Sequence, residues 1–206
     1  MKEGFKRSHS PMAVTPSKSC YCPSCGAGLA ADAKWCGDCG FTGARTLEMF
    51  PSVAPPMMPL FDAAGLFDNA ATRMIESARG KLMKKFPQFR VNVWTVDLTD
   101  EQSLPVFGFW LLNACSLHDG ETAEDRKWTM LLLVNAGTGE AAVVSGYSVE
   151  SWLREPDLKW MLKRMADRRG SAGLPVALAG FYQDCGSLLK LAWRLRVSKR
   201  KSRRVP

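Results

Sequence analysis

The chain has 206 residues, 46% of them apolar, and carries 28 basic against 20 acidic side chains for a formal net charge of +8. That length holds one ordinary domain plus a small module, and the apolar content excludes a mainly disordered chain. The most apolar runs, near 106–112, 130–134 and 174–181, fall well short of the roughly 20 residues a membrane-spanning helix needs, so a soluble chain with no transmembrane segment is expected.

Residues 1–19 are polar and rich in Pro and Ser, with Lys2, Lys6, Arg7 and Lys18 where an export signal would be apolar. A disordered arm is expected there. Over 20–41 two knuckles follow, Cys22-Pro23-Ser24-Cys25-Gly26 and Cys36-Gly37-Asp38-Cys39-Gly40. Four thiolates so spaced can close a tetrahedron around one Zn²⁺, and the glycine after each pair lets the backbone turn with φ > 0. The segment resembles a bacterial zinc ribbon. A closed four-sulfur site leaves no position for water, so the metal is expected to be structural. It can supply on the order of 10 kcal/mol that so short a segment cannot gain by burial. Cys20, one residue outside the first pair, can compete for the metal in place of Cys22 and is ranked as a spare thiol. The remaining cysteines, Cys115 and Cys185, complete an odd set of seven without a disulfide framework, which fits a reducing, cytoplasmic compartment.

Pro51, Pro55, Pro56 and Pro59 mark 42–61 as a stiff, extended linker. Over 62–86 the apolar positions Leu66, Ala70, Met74, Ile75, Ala78 and Leu82 predict an amphipathic helix, and 89–97 alternates like a strand. A helix follows over 103–115, then a charged loop containing His118. Residues 128–135 form an apolar run of strand length, 136–139 supply a turn, and 140–145 return as its hairpin partner. Helices are expected over 149–165 and 174–196. Trp94, Trp110, Trp128 and Trp160 fall on elements that need core filler.

The order α-β-α-β-β-α-α over 62–196 calls for an α/β domain, a mixed sheet flanked by helices on both faces. Beyond it the tail at 197–206 is basic. Lys190, Arg194, Arg196, Lys199, Arg200, Lys201, Arg203 and Arg204 stand with no acid after Asp184, and the rest of the chain is balanced. Such a tail can pair with the phosphates of nucleic acid or an anionic membrane surface. The apolar positions of 188–196 can also lie on a membrane, placing the protein peripherally.

Asp62-Ala63-Ala64-Gly65-Leu66 is similar to an opening Asp-x-Ala-x-x-Leu, and Gly146-Tyr147-Ser148-Val149-Glu150, after the hairpin, to a Gly-x-Gly-x-Glu turn. Both are features of the TPM domain, the family that includes the photosystem II repair proteins of plants and cyanobacteria. The resemblance covers about 59–196. Ser148 replaces the second glycine, and the charged segment 117–126 is longer than the family pattern. The resemblance implies a TPM-like α/β/α sandwich. Because some members are described as acid phosphatases that bind a divalent cation, it also implies a cluster of Asp62, Glu150 and Asp157 holding Ca²⁺ or Mg²⁺ to position an attacking water. The same residues have plain structural roles open to them. Asp62 can cap a helix, Glu150 can sit in a first turn favoured by the helix dipole, and Asp157 can lie exposed after Pro156.

Two functions follow. One is an interaction module whose ribbon and basic tail engage a protein partner, nucleic acid or an anionic surface. The alternative is a metal-assisted acid phosphatase.

Overall fold

The structure, a computed structural model, describes residues 20–30, 33–50, 53–99, 101–116 and 122–202. The expected arm at 1–19, the loop around His118 and the last four residues of the basic tail lie outside them. Two compact units divide the chain, Met1–Thr42 and Gly43–Pro206.

In the first unit, β1 (Cys20–Tyr21) and β2 (Gly28–Leu29) pair antiparallel, Tyr21 opposite Gly28. The rest of what is described there is turn and loop built around the cysteines.

The second unit contains α1 (Arg45–Met49), β3 (Leu60–Asp62), α2 (Asn69–Lys85), β4 (Arg90–Val96), α3 (Leu104–Ala114) and α4 (Ala123–Lys127). It continues with β5 (Thr129–Asn135), β6 (Ala141–Ser145), α5 (Tyr147–Glu150), α6 (Glu155–Ala172) and α7 (Leu174–Ser202). The strands form one mixed sheet in the order β3-β4-β5-β6, with β3, β4 and β5 parallel and β6 antiparallel. Strand register places Asp62 beside Thr95, Val93 beside Leu132, and Leu132 beside Val143.

Period-two alternation sends the two central strands' side chains to opposite faces, and both faces are covered. Val91, Val93, Met130, Leu132 and Val134 join Ile75 and Leu82 of α2, Met161 and Met165 of α6, and Leu178, Phe181, Tyr182 and Leu189 of α7 in one buried cluster. Each such side chain is worth about 1.5–3 kcal/mol on leaving water. On the other face α3 lies against β5 and β6. It approaches so closely that a Cβ on Gly108 would stand 2.6 Å from Leu133 and 2.7 Å from Val144, which is why glycine occupies that turn of the helix.

Local chemistry sets the helix boundaries. Asp68 starts α2 by accepting from the Ala71 amide at 2.7 Å, and Asp157 steadies the start of α6 by accepting from the Arg154 amide at 2.9 Å. Gly173, at φ +84°, separates α6 from α7, and Pro175 falls in the first turn of α7, where its missing N–H costs nothing.

Several expectations are corrected. Residues 43–61 belong to the second unit rather than to a stiff linker. Phe50 is buried with its ring 5.1 Å from that of Phe107 and 5.4 Å from that of Trp110, and the Met57 amide donates to Ser116 O at 3.3 Å. The prolines are compatible with this because β3 is an edge strand and Pro59 precedes it, offering its carbonyl to the Val93 amide at 3.0 Å. The helix expected from 62 is α2, which begins at Asn69, since 60–62 are taken by β3 and Gly65 turns the chain at φ +65°. The helix expected over 149–165 is two elements, α5 and α6. Helix α7 passes the expected end at 196 and runs through Ser202, so the start of the tail is helical. Trp94 and Trp110 are buried, whereas Trp160 is 42% exposed beneath the Arg164 guanidinium, 4.8 Å from its ring centroid.

Candidate metal centre and basic helix

The two knuckles repeat one backbone pattern. The Cys22 amide donates to Ala27 O and the Gly26 amide to Cys22 O, both at 2.8 Å; the Cys36 amide donates to Phe41 O and the Gly40 amide to Cys36 O, both at 2.9 Å. Gly26 and Gly40 adopt φ of +75° and +70°. A side chain is strained there, and the turn they permit aims amides at sulfur. The Ser24 and Cys25 amides point to Cys22, Ala27 to Cys25, and Phe41 to Cys39.

The four Sγ atoms lie within 4.8 Å of one another, with Cys22–Cys39 at 3.7 Å and Cys25–Cys36 at 3.6 Å. Disulfides require about 2.05 Å, whereas a tetrahedron with metal–sulfur bonds of about 2.3 Å has edges of about 3.8 Å. The donor set therefore fits a four-coordinate thiolate metal site. Cys22 and Cys36 are buried; Cys25 and Cys39 face outward. The Phe41 amide holds the Cys39 thiol down at about 7, ready to ionise at neutral pH, while burial raises that of Cys22. Of Cys20 only the backbone is described.

The three carboxylates are not brought together. Asp62 ends β3 at one sheet edge, where its Oδ2 accepts from the Phe67 amide at 2.8 Å and its Oδ1 from the Thr95 hydroxyl. Glu150 lies in α5 just after β6, the opposite edge strand, and β6 runs antiparallel to its neighbour. Asp157 is committed to the Arg154 amide. Among the described residues the four cysteines are the group of three or more metal-capable side chains that converges. No observation supports a Ca²⁺ or Mg²⁺ site on the acids.

Elsewhere in the second unit, burial pushes the thiols of Cys115 and Cys185 up to about 11 and about 12, so both are protonated at neutral pH. Nucleophilic thiol chemistry is not available to them in this state.

The basic end of α7 is anchored in a way the sequence reading missed. Trp193 stacks on Trp152, ring centroids 6.0 Å apart and nearly parallel at 11°, and the Arg196 guanidinium lies over the same Trp152 ring at 3.8 Å. Arg196 also donates to Ser151 O. The three-residue step from Trp193 to Arg196, which places both on one side of a helix, was the available signal. Nearer its start, α7 is clamped to α6. Asp184, 7% exposed, accepts from Arg168 Nη2 at 3.1 Å and from Arg168 Nη1, and takes Arg164 Nε at 3.2 Å. No helix among the described residues is long and apolar enough to cross a membrane.

No family model matches the chain, and no curated protein matches it. Among solved structures it is similar to the solution NMR structure of the N-terminal domain of cg2496 protein from Corynebacterium glutamicum. That similarity is 12% identity with a TM-score of 0.48, over 63% of this chain and 78% of that one. It is also similar to the solution NMR structure of the N-terminal domain of a protein from P. gingivalis, at 16% identity and a TM-score of 0.48, over 70% of this chain and 87% of that one.

Proposed function

We propose that this chain is a zinc-ribbon protein with a TPM-type α/β domain, and that it works in the cytoplasm as an interaction module engaging polyanionic partners. The supporting observation is the charge on α7. Every charged side chain after Asp184 is basic, and the helix carries Lys190, Arg194 and Arg196 on a rod fixed to the domain by the Asp184 clamp and the Trp152 stack. A rigid basic rod binds phosphates with less ordering cost than a flexible tail. Zinc is the metal we assign to the ribbon, since four thiolates in a tetrahedron suit it and leave no open coordination position. Its part is to hold the ribbon's shape rather than to activate water.

Deleting 199–206 removes five basic side chains. If all five meet phosphates, the slope of log K against log salt on single-stranded RNA falls in magnitude by up to about 3.5, with the thermal melt unchanged and the helical circular dichroism reduced only by the last turn of α7 that the deletion takes. An unaltered affinity and salt slope after truncation would refute the role given to the helix end.

A further inference from the structure

We infer that the outer flank of α7 at 188–198 seats on an anionic membrane surface, with Leu191 and Leu195 entering the interface and the surrounding basic side chains meeting lipid phosphates. This rests on the interaction reading above and names its partner.

Leu189 is buried, and Trp193 and Arg196 meet Trp152, so these three positions define the docked side of the helix. At about 100° per residue, Leu191 falls about 165° and Leu195 about 125° away from that side, stacked one turn apart. Their exposures are 53% and 55%; Trp193 is itself 54% exposed despite its stack on Trp152, so it is the helical angle rather than exposure that sets the two leucines apart. Leu188 and Ala192 extend the stripe inward at the i, i+3, i+4, i+7 spacing, and both are half-buried. Lys190, Arg194 and Ser198 form the adjoining polar row, and the backbone positions of Lys199 and Lys201 follow on the last turn. Two leucines flanked by cations, on a helix already held in place, form a one-sided surface anchor.

Charge chooses the occupant. A second copy of this chain would set one basic helix end against another, and like charges facing one another oppose that pairing. Nucleic acid would satisfy the cations but leave both leucines in water. An anionic lipid interface takes both, because its headgroups are phosphates and its acyl boundary is apolar, and each basic side chain near the surface adds attraction. Two leucines bind weakly alone, so association should require anionic lipid as well as the apolar side chains.

The test uses the full chain in co-sedimentation with vesicles of phosphatidylcholine alone, and of phosphatidylcholine with about one-third phosphatidylglycerol, at low and high salt. Single-stranded RNA binding and sedimentation velocity are run in parallel. The variant Leu191→Ser/Leu195→Ser keeps every charge and alters only exposed positions, so its thermal melt should match the parent's. Binding to the anionic vesicles alone, weakened at least about tenfold in the variant while RNA binding is unchanged, is the expected result. Equal vesicle binding by parent and variant overturns the inference. So does RNA binding without vesicle binding, which leaves the interaction reading standing, or a dimer that the serines dissociate, which makes the second copy the occupant. Binding to neither vesicles nor RNA defeats both readings.

Discussion

Cys39 and Cys22 are the same residue type in matching turns, yet the Phe41 amide holds the first thiol down at about 7 while burial raises the second. Four protons compete with one metal ion, and that competition fixes the sign of the pH dependence. Coordination needs thiolates, so it strengthens as pH rises; acid protonates the sulfurs and releases the metal. Zinc affinity measured by competition with a chromophoric chelator should fall by at least about 100-fold from pH 8 to pH 6. A flat profile over that range would be incompatible with a four-thiolate site. The cysteines were legible in the sequence because each knuckle is a local turn whose spacing alone brings its two sulfurs together. The carboxylates were not. Asp62 and Asp157 are spent on amides within five residues, a use that produces the same letters as a metal ligand and differs only in what the side chain reaches.

Elements were legible in proportion to their length and periodicity. Strands β4 and β5 and helix α7 carry enough apolar residues for their period to be read, whereas β3 is three residues long and sits among prolines that suggest extended linker. What places β3 in the sheet is tertiary. Phe61 meets the Trp94 ring at 4.6 Å, and the Trp94 indole N–H donates to Met58 O at 2.8 Å. The pairing of α6 with α7 was likewise hidden, since Arg164, Arg168 and Asp184 look like ordinary surface charges until the helices fold back on each other. The bond to Asp184 also raises the proton affinity of the Arg168 guanidinium. Replacing Asp184 with Asn would leave two guanidiniums facing an uncharged, buried partner. Both arginines are partly solvated, with side chains 46% and 25% exposed, so the cost should be about 2–3 kcal/mol rather than the 3–5 of a fully buried pair. By contrast Asp167→Asn, which breaks the exposed Lys163–Asp167 pair, should cost under about 0.5 kcal/mol. Urea denaturation of the two variants reads the difference directly, and equal midpoints would mean that Asp184 does not hold the helices together.

At the scale of the whole molecule, the two units are stabilised by different physics, and metal removal separates them. The ribbon has Cys22, Cys36 and Phe41 as its buried side chains among the described residues, far too little apolar surface to offset the ordering of its backbone, so on the proposed zinc assignment its folding free energy would come from the metal. The sheet domain buries the side chains of four strands and the helices on both faces, none of which depends on a metal for its shape. Cys36→Ser should therefore abolish zinc binding and collapse the amide chemical-shift dispersion of 20–42. The main calorimetric transition of the second unit should stay within about 2 °C of the parent's, less than the shift that 1 kcal/mol produces in a domain of this size. Stripping zinc from the parent with a chelator should reproduce the same pattern. A main transition lowered by several degrees in both experiments would show that the ribbon supports the sheet domain, and the chain would then unfold as one cooperative body rather than two.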